Sequence, residues 1–214
     1  MRTLITGTNR GIGRTLLGVL QAQGHEVLGT ARDQSQHIQL DVTDPAQHAA
    51  MARQLEGQAL DLLVCNAGVY LDKGHTLPDG FGAEVWANTF QANVTGVFLT
   101  IQALLPNLRL APAPRIAIIS SRMGSHTLAG GDAFVYRASK AAVTNLGRNL
   151  AQHLRPEGIA VGIYHPGWVR TDMGGATADV GLEASAEGLA ARFATLSMET
   201  TGCYETFEGE ALPF

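Results

Sequence analysis

Short apolar segments alternate with longer segments of helical character along this chain, and this alternation constrains the fold more than any other feature. Several of the short segments are apolar at nearly every position, as strands buried on both faces are. The pattern predicts an α/β fold, a doubly wound parallel sheet of about seven strands with helices on both faces. The predicted strands are Thr3–Thr6, Glu26–Thr30, Ile38–Leu40, Leu60–Asn66, Arg115–Ser121, Ala160–His165 and Cys203–Phe207.

Capping residues and prolines indicate where the intervening helices begin and end. Pro106 is expected to end the third helix, because proline lacks the N–H that continues the hydrogen-bond ladder. Ser185 is expected to open the last helix as its N-cap. The predicted helices are Gly11–Gln23, Pro45 to about Glu56, Glu84–Leu105, Val135–Leu154 and Ser185–Ser197.

The composition is that of one globular domain. A chain of 214 residues, 45% hydrophobic and 16% charged, can bury one large core, so residues 1–214 are predicted to form a single domain. A net charge of −4 without a basic block argues against nucleic acid or an anionic membrane as a partner. No apolar run has the length that crossing a bilayer requires.

The start of the chain, the cysteines and the histidines bear on compartment and metal binding. Leu4 and Ile5 form the first apolar stretch, so close to Met1 that no signal or transit peptide is expected. Cys65 and Cys203 lie far apart, which favours reduced thiols and a cytoplasmic location. The seven histidines are scattered without HxxxH spacing, so no metal site is predicted.

A glycine-rich turn connects the first strand to the first helix. Glycines at Gly7, Gly11 and Gly13 would let the backbone turn tightly and approach a pyrophosphate bound at the N-terminus of the helix. The alternative is a strand–helix turn that merely requires glycine. The position of the turn, directly between strand and helix, favours a dinucleotide site.

Tyr136 and Lys140 are four residues apart on a predicted helix and therefore share a face. A tyrosine hydroxyl, with a pKa of about 10, is a poor acid–base catalyst at neutral pH. A nearby ammonium group stabilises the phenolate and lowers that pKa. Taken alone, the pair is better explained as a surface tyrosine and a solvated lysine, so its interpretation depends on the other motifs.

Six motifs follow one another in an order and spacing that resemble the short-chain dehydrogenase/reductase family. They are Gly7 to Gly13, Asn66-Ala67-Gly68, Asn93, Ser120-Ser121, Tyr136 to Lys140, and Pro166 to Thr171. Within this family, Ser120–Gly124, Tyr136–Ala141 and Gly202–Phe214 resemble the carbonyl-reductase branch that includes the C-factor and Sniffer proteins. The resemblance implies a Rossmann-type fold and an NADP(H)-dependent oxidoreductase that interconverts a small-molecule carbonyl compound and its alcohol.

The resemblance also implies catalytic roles. Tyr136 would give a proton to the carbonyl oxygen while the nicotinamide delivers hydride. Ser121 would hydrogen-bond that oxygen, with Ser120 as the candidate for a lesser, structural role. Lys140 would tune Tyr136 and bind the nicotinamide ribose. Asn93 would hold a water linking Lys140 to solvent, the alternative being a helix-interior asparagine bonded to backbone.

The remaining implied contacts surround the cofactor. Asp41 would accept from the adenine amino group, the alternative being a strand-end turn residue. Thr171 would contact the nicotinamide carboxamide or a phosphate. The full set of implied cofactor-binding residues is Gly7, Asn9, Arg10, Gly11, Ile12, Gly13, Arg32, Asp41, Val42, Asn66, Ala67, Gly68, Tyr136, Lys140, Pro166, Gly167, Val169 and Thr171.

The end of the second predicted strand bears on the choice between NADP(H) and NAD(H). An enzyme selecting NAD places an acid there, bonded to the ribose 2′-hydroxyl. This chain has Ala31 where the resemblance would place the acid, followed by Arg32, and Arg10 lies in the glycine turn. Two guanidinium groups could bind a 2′-phosphate, so NADP(H) is predicted. The alternative is that Asp33 binds the ribose of NAD(H).

The same residues bear on other possible functions and on the assembly state. A non-catalytic NADP(H)-sensing regulatory protein would typically have lost Tyr136 or Lys140, and both are present. A nucleotide-sugar epimerase or dehydratase would need a larger region after Thr171. The helix Glu84–Leu105 has more apolar side chains than one buried face requires. The resemblance implies that this helix and Val135–Leu154 pair across a two-fold axis, so a homodimer or homotetramer is expected.

Overall fold

The computed structural model describes residues 1–33, 36–78 and 80–214. Seven parallel strands form one sheet in the order β3-β2-β1-β4-β5-β6-β7. The order reverses between β1 and β4, and a crevice outside the carboxyl ends of strands at such a point is where open α/β sheets bind ligands. The strands are β1 (Arg2–Ile5), β2 (Glu26–Ala31), β3 (Ile38–Gln39), β4 (Leu62–Cys65), β5 (Arg115–Ile119), β6 (Ala160–His165) and β7 (Tyr204–Thr206).

Six α-helices connect these strands and cover the sheet. They are α1 (Gly11–Ala22), α2 (Pro45–Gln54), α3 (Ala83–Phe90), α4 (Gly96–Leu108), α5 (Phe134–Leu154) and α6 (Leu182–Thr195). A π-helical turn, Gln91–Thr95, joins α3 to α4, and 3-10 turns lie at Arg122–Gly124 and Arg155–Glu157. The predicted α/β fold with about seven parallel strands is confirmed, and no strand end is displaced by more than two residues.

The apolar residues of the sheet form two cores, one on each face. One core contains Leu63, Ile118 and Val161 of the strands together with residues of α2, α4 and α5. The other contains Ile5, Val64 and Tyr164 together with residues of α1 and α6. None of the described helices has both the length and the apolar character needed to span a membrane.

The expectation that Pro106 ends its helix is wrong, because α4 continues through Pro106 to Leu108. Pro106 lies in the last turn, where the missing N–H leaves only the carbonyl of the exposed Gln102 without its helical partner, and water can hydrate that group. Buried Asn107 holds the turn in place, since its Nδ2 donates to the carbonyls of Leu55 (2.6 Å) and Gln58 (2.8 Å).

The expectation that Ser185 caps the last helix is also wrong. The helix α6 begins at Leu182 with Gly181 at the N-cap, so Ser185 lies within its first turn. Ser185 is fully buried, and its Oγ donates to the Pro166 carbonyl at 2.6 Å. A serine near the start of a helix looks like an N-cap in the sequence. Here its hydrogen bond instead ties α6 to the segment that follows β6.

Candidate active site

A cavity of about 1120 Å³ lies outside the carboxyl ends of the strands. Four predicted site residues do not line it. Gly167 forms a turn with φ of 88°, and Val169 is buried and bridges to Val180. Asn93 and Ser121 are buried behind the wall, and Ser120 lines the cavity in place of Ser121. The predicted cofactor-binding residues that do line it are Gly7, Asn9, Arg10, Gly11, Ile12, Gly13, Arg32, Asp41, Val42, Asn66, Ala67, Gly68, Tyr136, Lys140, Pro166 and Thr171.

The glycine turn fits closely against the end of β4. Gly7 has φ of 73°, a conformation that favours glycine, and a Cβ at Gly13 would overlap the Gly7 carbonyl oxygen. Asn66 fixes this arrangement, because its Nδ2 donates to the carbonyls of Thr6 (2.8 Å) and Gly7 (3.1 Å). The ends of β1 and β4 are thereby held together at the floor of the cavity.

The N-terminus of α1 faces the same cavity and has no cap of its own. Its N-cap residue, Arg10, makes no side-chain capping hydrogen bond, and no acidic residue lies in the first turn. Free N–H groups and the positive end of the helix dipole favour an anionic group. The glycine turn and this helix end therefore fit the pyrophosphate of a dinucleotide.

Asp41 is both a turn residue and a cavity-lining residue. Its Oδ1 accepts hydrogen bonds from Thr43 N (2.9 Å) and Thr43 Oγ1 (2.7 Å). Burial alone would raise the pKa of Asp41, but these hydrogen bonds and the charge of Arg32 outweigh it and lower the pKa. An ionised carboxylate at the cavity wall can accept from an amino group, so the two interpretations of Asp41 are compatible.

The two arginines predicted for the 2′-phosphate have different surroundings. Both side chains border the cavity. Arg10 forms an exposed ion pair in which its Nη1 lies 2.7 Å from Asp172 Oδ2. Arg32 forms none of the ion pairs found in the described part of the chain, and its backbone carbonyl accepts from Gln39 Nε2 at 3.0 Å.

Tyr136 lies on the first turn of α5, with its side chain buried at the cavity wall. Its ring stacks on Tyr70, with centroids 4.4 Å apart and planes inclined at 23°. Burial raises the pKa of Tyr136, and hydrogen bonding to the Ser121 side chain opposes that rise. The phenol is therefore held in its protonated, proton-donating form.

Lys140 lies one turn further along α5 and is also buried. Its Nζ donates to the Ile119 carbonyl at 2.9 Å and lies 5.6 Å from the centroid of the Tyr136 ring. Burial lowers the pKa of Lys140 to about 8. The pKa of Tyr136 is raised, not lowered as expected, because burial of the phenol is the largest influence on it.

Two adjacent serines follow β5, and their surroundings differ. Ser120 is tied to α5, since its Oγ lies 2.7 Å from Thr144 Oγ1 and donates to the Lys140 carbonyl at 3.2 Å. Ser121 interacts with the Tyr136 side chain and accepts from Met123 N at 3.2 Å. This environment favours the structural role for Ser120 and leaves Ser121 beside the phenol.

Asn93 lies in the π-helical turn and connects three segments. Its Oδ1 accepts from Val69 N (2.8 Å), and its Nδ2 donates to Val69 O (2.9 Å) and to Ser139 Oγ (3.0 Å). The side chain is thus engaged with protein groups, as in the alternative considered for it. A Cβ at Gly68 would lie 3.1 Å from Asn93 Oδ1 and 3.8 Å from Lys140 Nζ, so both side chains border the backbone of Gly68.

Three polar residues near the site were not anticipated from the sequence. Asp172 pairs with Arg10, and buried Asp72 accepts from the backbone N–H of Tyr136 at 3.1 Å. The Tyr204 hydroxyl donates to the Ser121 carbonyl. None of the three belongs to a recognisable motif, and each becomes evident only when distant segments are placed side by side.

A sequence model described as short chain dehydrogenase matches residues 2–180 of this chain. Among curated proteins, the chain is 37% identical over 156 residues to the C-signal protein of Myxococcus xanthus, an alignment that covers 72% of this chain and 93% of that protein. Both matches are extensive enough to show the family.

Two solved structures superpose on the whole chain. An NADPH-bound carbonyl reductase from chicken fatty liver is 31% identical with a TM-score of 0.91, covering 100% of this chain and 98% of the other. The carbonyl reductase Sniffer of Drosophila melanogaster is 26% identical with a TM-score of 0.92, covering 100% and 99%. The resemblance to the carbonyl-reductase branch is confirmed, and this chain belongs to the short-chain dehydrogenase family of oxidoreductases.

Proposed function

We propose that this protein is an NADP(H)-dependent carbonyl reductase that interconverts a ketone or aldehyde and its alcohol. The observation that supports this most directly is the pair of buried side chains, Tyr136 and Lys140, at the wall of a cavity that also includes the glycine turn. Acid–base groups whose pKa values are perturbed by burial in a large cleft are typical of catalytic sites. The 214 residues would act as one nucleotide-binding domain.

Each residue of the site has a proposed part in the reaction. The bound nicotinamide supplies hydride to the carbonyl carbon. Tyr136 donates its phenolic proton to the carbonyl oxygen, and Ser121 donates a hydrogen bond to the same oxygen to orient it. Lys140, still mostly protonated at neutral pH with a pKa of about 8, binds the nicotinamide ribose and stabilises the phenolate left behind. Asn93 would hold a water that links Lys140 to solvent.

The proposal of NADP(H) as cofactor rests on the end of β2. Ala31 and Arg32 border the cavity there, so an alanine stands where an NAD-selective site would have an acid, and a cation follows it. The NADPH bound to the chicken carbonyl reductase supports the same choice. Pro166 and Thr171 border the cavity at the end of β6, and we propose that they frame the nicotinamide with Gly167 and Val169 behind them.

A second candidate function is suggested by the relative that is named a signal. A protein of that kind could bind NADP(H) and report it without turnover. The two candidates differ in one measurable property, because only the reductase would oxidise NADPH when a carbonyl compound is added.

The test is NADPH oxidation with a panel of ketones, quinones and aldehydes by the wild-type protein and Tyr136→Phe. We expect Tyr136→Phe to bind NADPH within about threefold of wild type and to lose most turnover, about 10²-fold or more, because only the hydroxyl is removed. Tyr164→Phe is the matched control, since it removes a buried tyrosine hydroxyl from the core on the α1 and α6 side of the sheet. Near-normal rates in Tyr136→Phe would refute the mechanism, and an inactive wild type would favour the sensor.

A further inference from the structure

Asp72 is a buried acidic residue in the loop that follows β4. It is 1% exposed, and none of the ion pairs in the described residues involves it. Its two carboxylate oxygens accept hydrogen bonds from consecutive backbone N–H groups, Val135 N at 2.8 Å and Tyr136 N at 3.1 Å. A buried carboxylate is tolerated only when it is well hydrogen-bonded, so this contact accounts for the presence of Asp72 in the interior.

The helix α5 requires a cap from outside, because its own sequence provides none. The first N–H groups of a helix have no partners within it, and the N-cap residue, Ala133, has no side chain that could accept. Ala133 also has φ of 48°, the only positive value among the non-glycine residues described. A residue in such a strained backbone conformation persists only when surrounding contacts hold it there. The hydrogen bonds from Val135 N and Tyr136 N to the Asp72 carboxylate are among those contacts.

The same loop also contacts the ring of Tyr136. Tyr70, two residues before Asp72, stacks on Tyr136 with centroids 4.4 Å apart. Lys73, the next residue, donates from its Nζ to the Met173 carbonyl at 2.7 Å, in a segment that borders the cavity. The loop from Tyr70 to Lys73 therefore holds the backbone of Tyr136, covers one face of its ring and contacts a segment that lines the cavity.

We propose that Asp72 is a positioning residue for the proposed reaction, in that it anchors the first turn of α5 so that the Tyr136 hydroxyl lies beside Ser121 and the reacting carbonyl. The inference rests on the proposed function. The physical reason is that proton transfer depends steeply on geometry, and a displacement of about 1 Å can lower a rate about 10²-fold.

The kinetic test compares Asp72→Ala and Asp72→Asn with wild type on one carbonyl substrate. We expect Asp72→Ala to lower kcat about 10- to 100-fold with KM for NADPH changed less than about threefold, because the cofactor contacts remain. Asp72→Asn should retain more activity, since its amide oxygen can still accept one of the two N–H groups. The control is Asp44→Ala, which removes the cap of α2, where Asp44 Oδ1 accepts from Ala46 N at 2.8 Å.

Amide hydrogen exchange tests the anchor without any turnover. In Asp72→Ala, the amides of Val135 and Tyr136 should exchange at least about tenfold faster, while amides near Ala151 on the same helix keep their protection. Unchanged protection would overturn the anchor, and lost protection with wild-type kcat would overturn the positioning role. An inactive wild-type protein would refute the proposed function and the positioning role with it, whereas an active wild type with an equally active Asp72→Ala would refute the positioning role alone.

Discussion

At the residue scale, the ammonium group of Lys140 lowers the stability of the fold that holds it. Burial lowers the pKa of Lys140 from 10.5 to about 8, so the unfolded chain binds this proton more tightly than the folded chain does. The free energy of unfolding therefore increases as the pH rises from about 8 to about 10.5, and below that window the charged lysine is destabilising. Each pKa unit corresponds to about 1.4 kcal/mol.

We expect Lys140→Met to abolish turnover while raising the free energy of unfolding at pH 7 by about 1–2 kcal/mol, after allowing for the lost hydrogen bond to Ile119. This stability gain should shrink as the pH is raised to about 9.5. At that pH the folded wild-type protein holds Lys140 mostly uncharged, so burying it costs less free energy. Urea unfolding at both pH values measures this. Lys73, the other lysine of the chain, is exposed, so Lys73→Met should show no such pH-dependent gain.

The choice of cofactor is also decided by single residues. We expect kcat/KM to favour NADPH over NADH by about tenfold to a few hundredfold, since each charge-assisted hydrogen bond to the 2′-phosphate contributes about 1.5–3 kcal/mol. Arg32→Ala should remove more of this preference than Arg10→Ala. Arg10 already pairs with Asp172 and would have to give up that carboxylate to bind the 2′-phosphate. Arg53→Ala, an exposed change on α2, is the control. A preference that survives the loss of both arginines would contradict the assignment.

At the scale of elements, the joint between β1 and α1 tolerates no side chain where the turn meets the helix. A Cβ at Gly13 would overlap the Gly7 carbonyl and crowd the Asn66 side chain, whereas a Cβ at Gly18, on the same helix, would meet nothing within 4 Å. The two glycines therefore differ in their environment although both lie within α1.

Gly13→Ala should weaken NADPH binding at least about tenfold and lower the free energy of unfolding by about 1–3 kcal/mol, because the turn must shift to relieve the overlap. Gly18→Ala should instead raise the free energy of unfolding by up to about 1 kcal/mol, since alanine is the better helix former. Thermal unfolding with and without NADPH separates the two effects. Equal behaviour of the two variants would show that the close packing at Gly13 is unimportant.

At the scale of the whole molecule, apolar side chains remain exposed along the outer face of the α3–α4 segment. Trp86 is 39% exposed and Phe98 is 41% exposed, whereas Val97 and Ile101 of the same segment are buried in the core. An amphipathic helix that already buries one apolar face does not need further aromatic residues on its other side. We expect this second face to pair with another copy of the chain.

Light scattering at micromolar concentration should therefore give a mass of two or four times the 22.6 kDa of one chain. Trp86→Glu combined with Phe98→Glu should shift the mass toward the monomer, because a buried carboxylate without a partner is strongly disfavoured. Leu110→Glu serves as a control, since Leu110 is 56% exposed just beyond the end of α4. A monomeric wild-type protein would refute the expectation.

The amino-acid sequence alone determined the order and type of the elements and the place of the main motifs. The strand Ala160–His165 was predicted with its observed bounds, because a run of apolar residues buried on both faces has a local signature. The glycine turn and the pair of Tyr136 and Lys140 were also evident, since their spacing reflects one strand–helix joint and one helical turn. Motifs of this kind depend on neighbours in sequence.

Only the tertiary structure decided which distant groups meet. Asp72 reaches the amides of Val135 and Tyr136 across more than 60 residues, and Ser185 binds the Pro166 carbonyl. The continuation of α4 through Pro106 likewise depends on Asn107 bonding to carbonyls beyond α2. In each case, a polar group is satisfied by a partner far away in the chain. Local periodicity contains no information about such a partner, because its position is fixed only when the sheet and helices pack together.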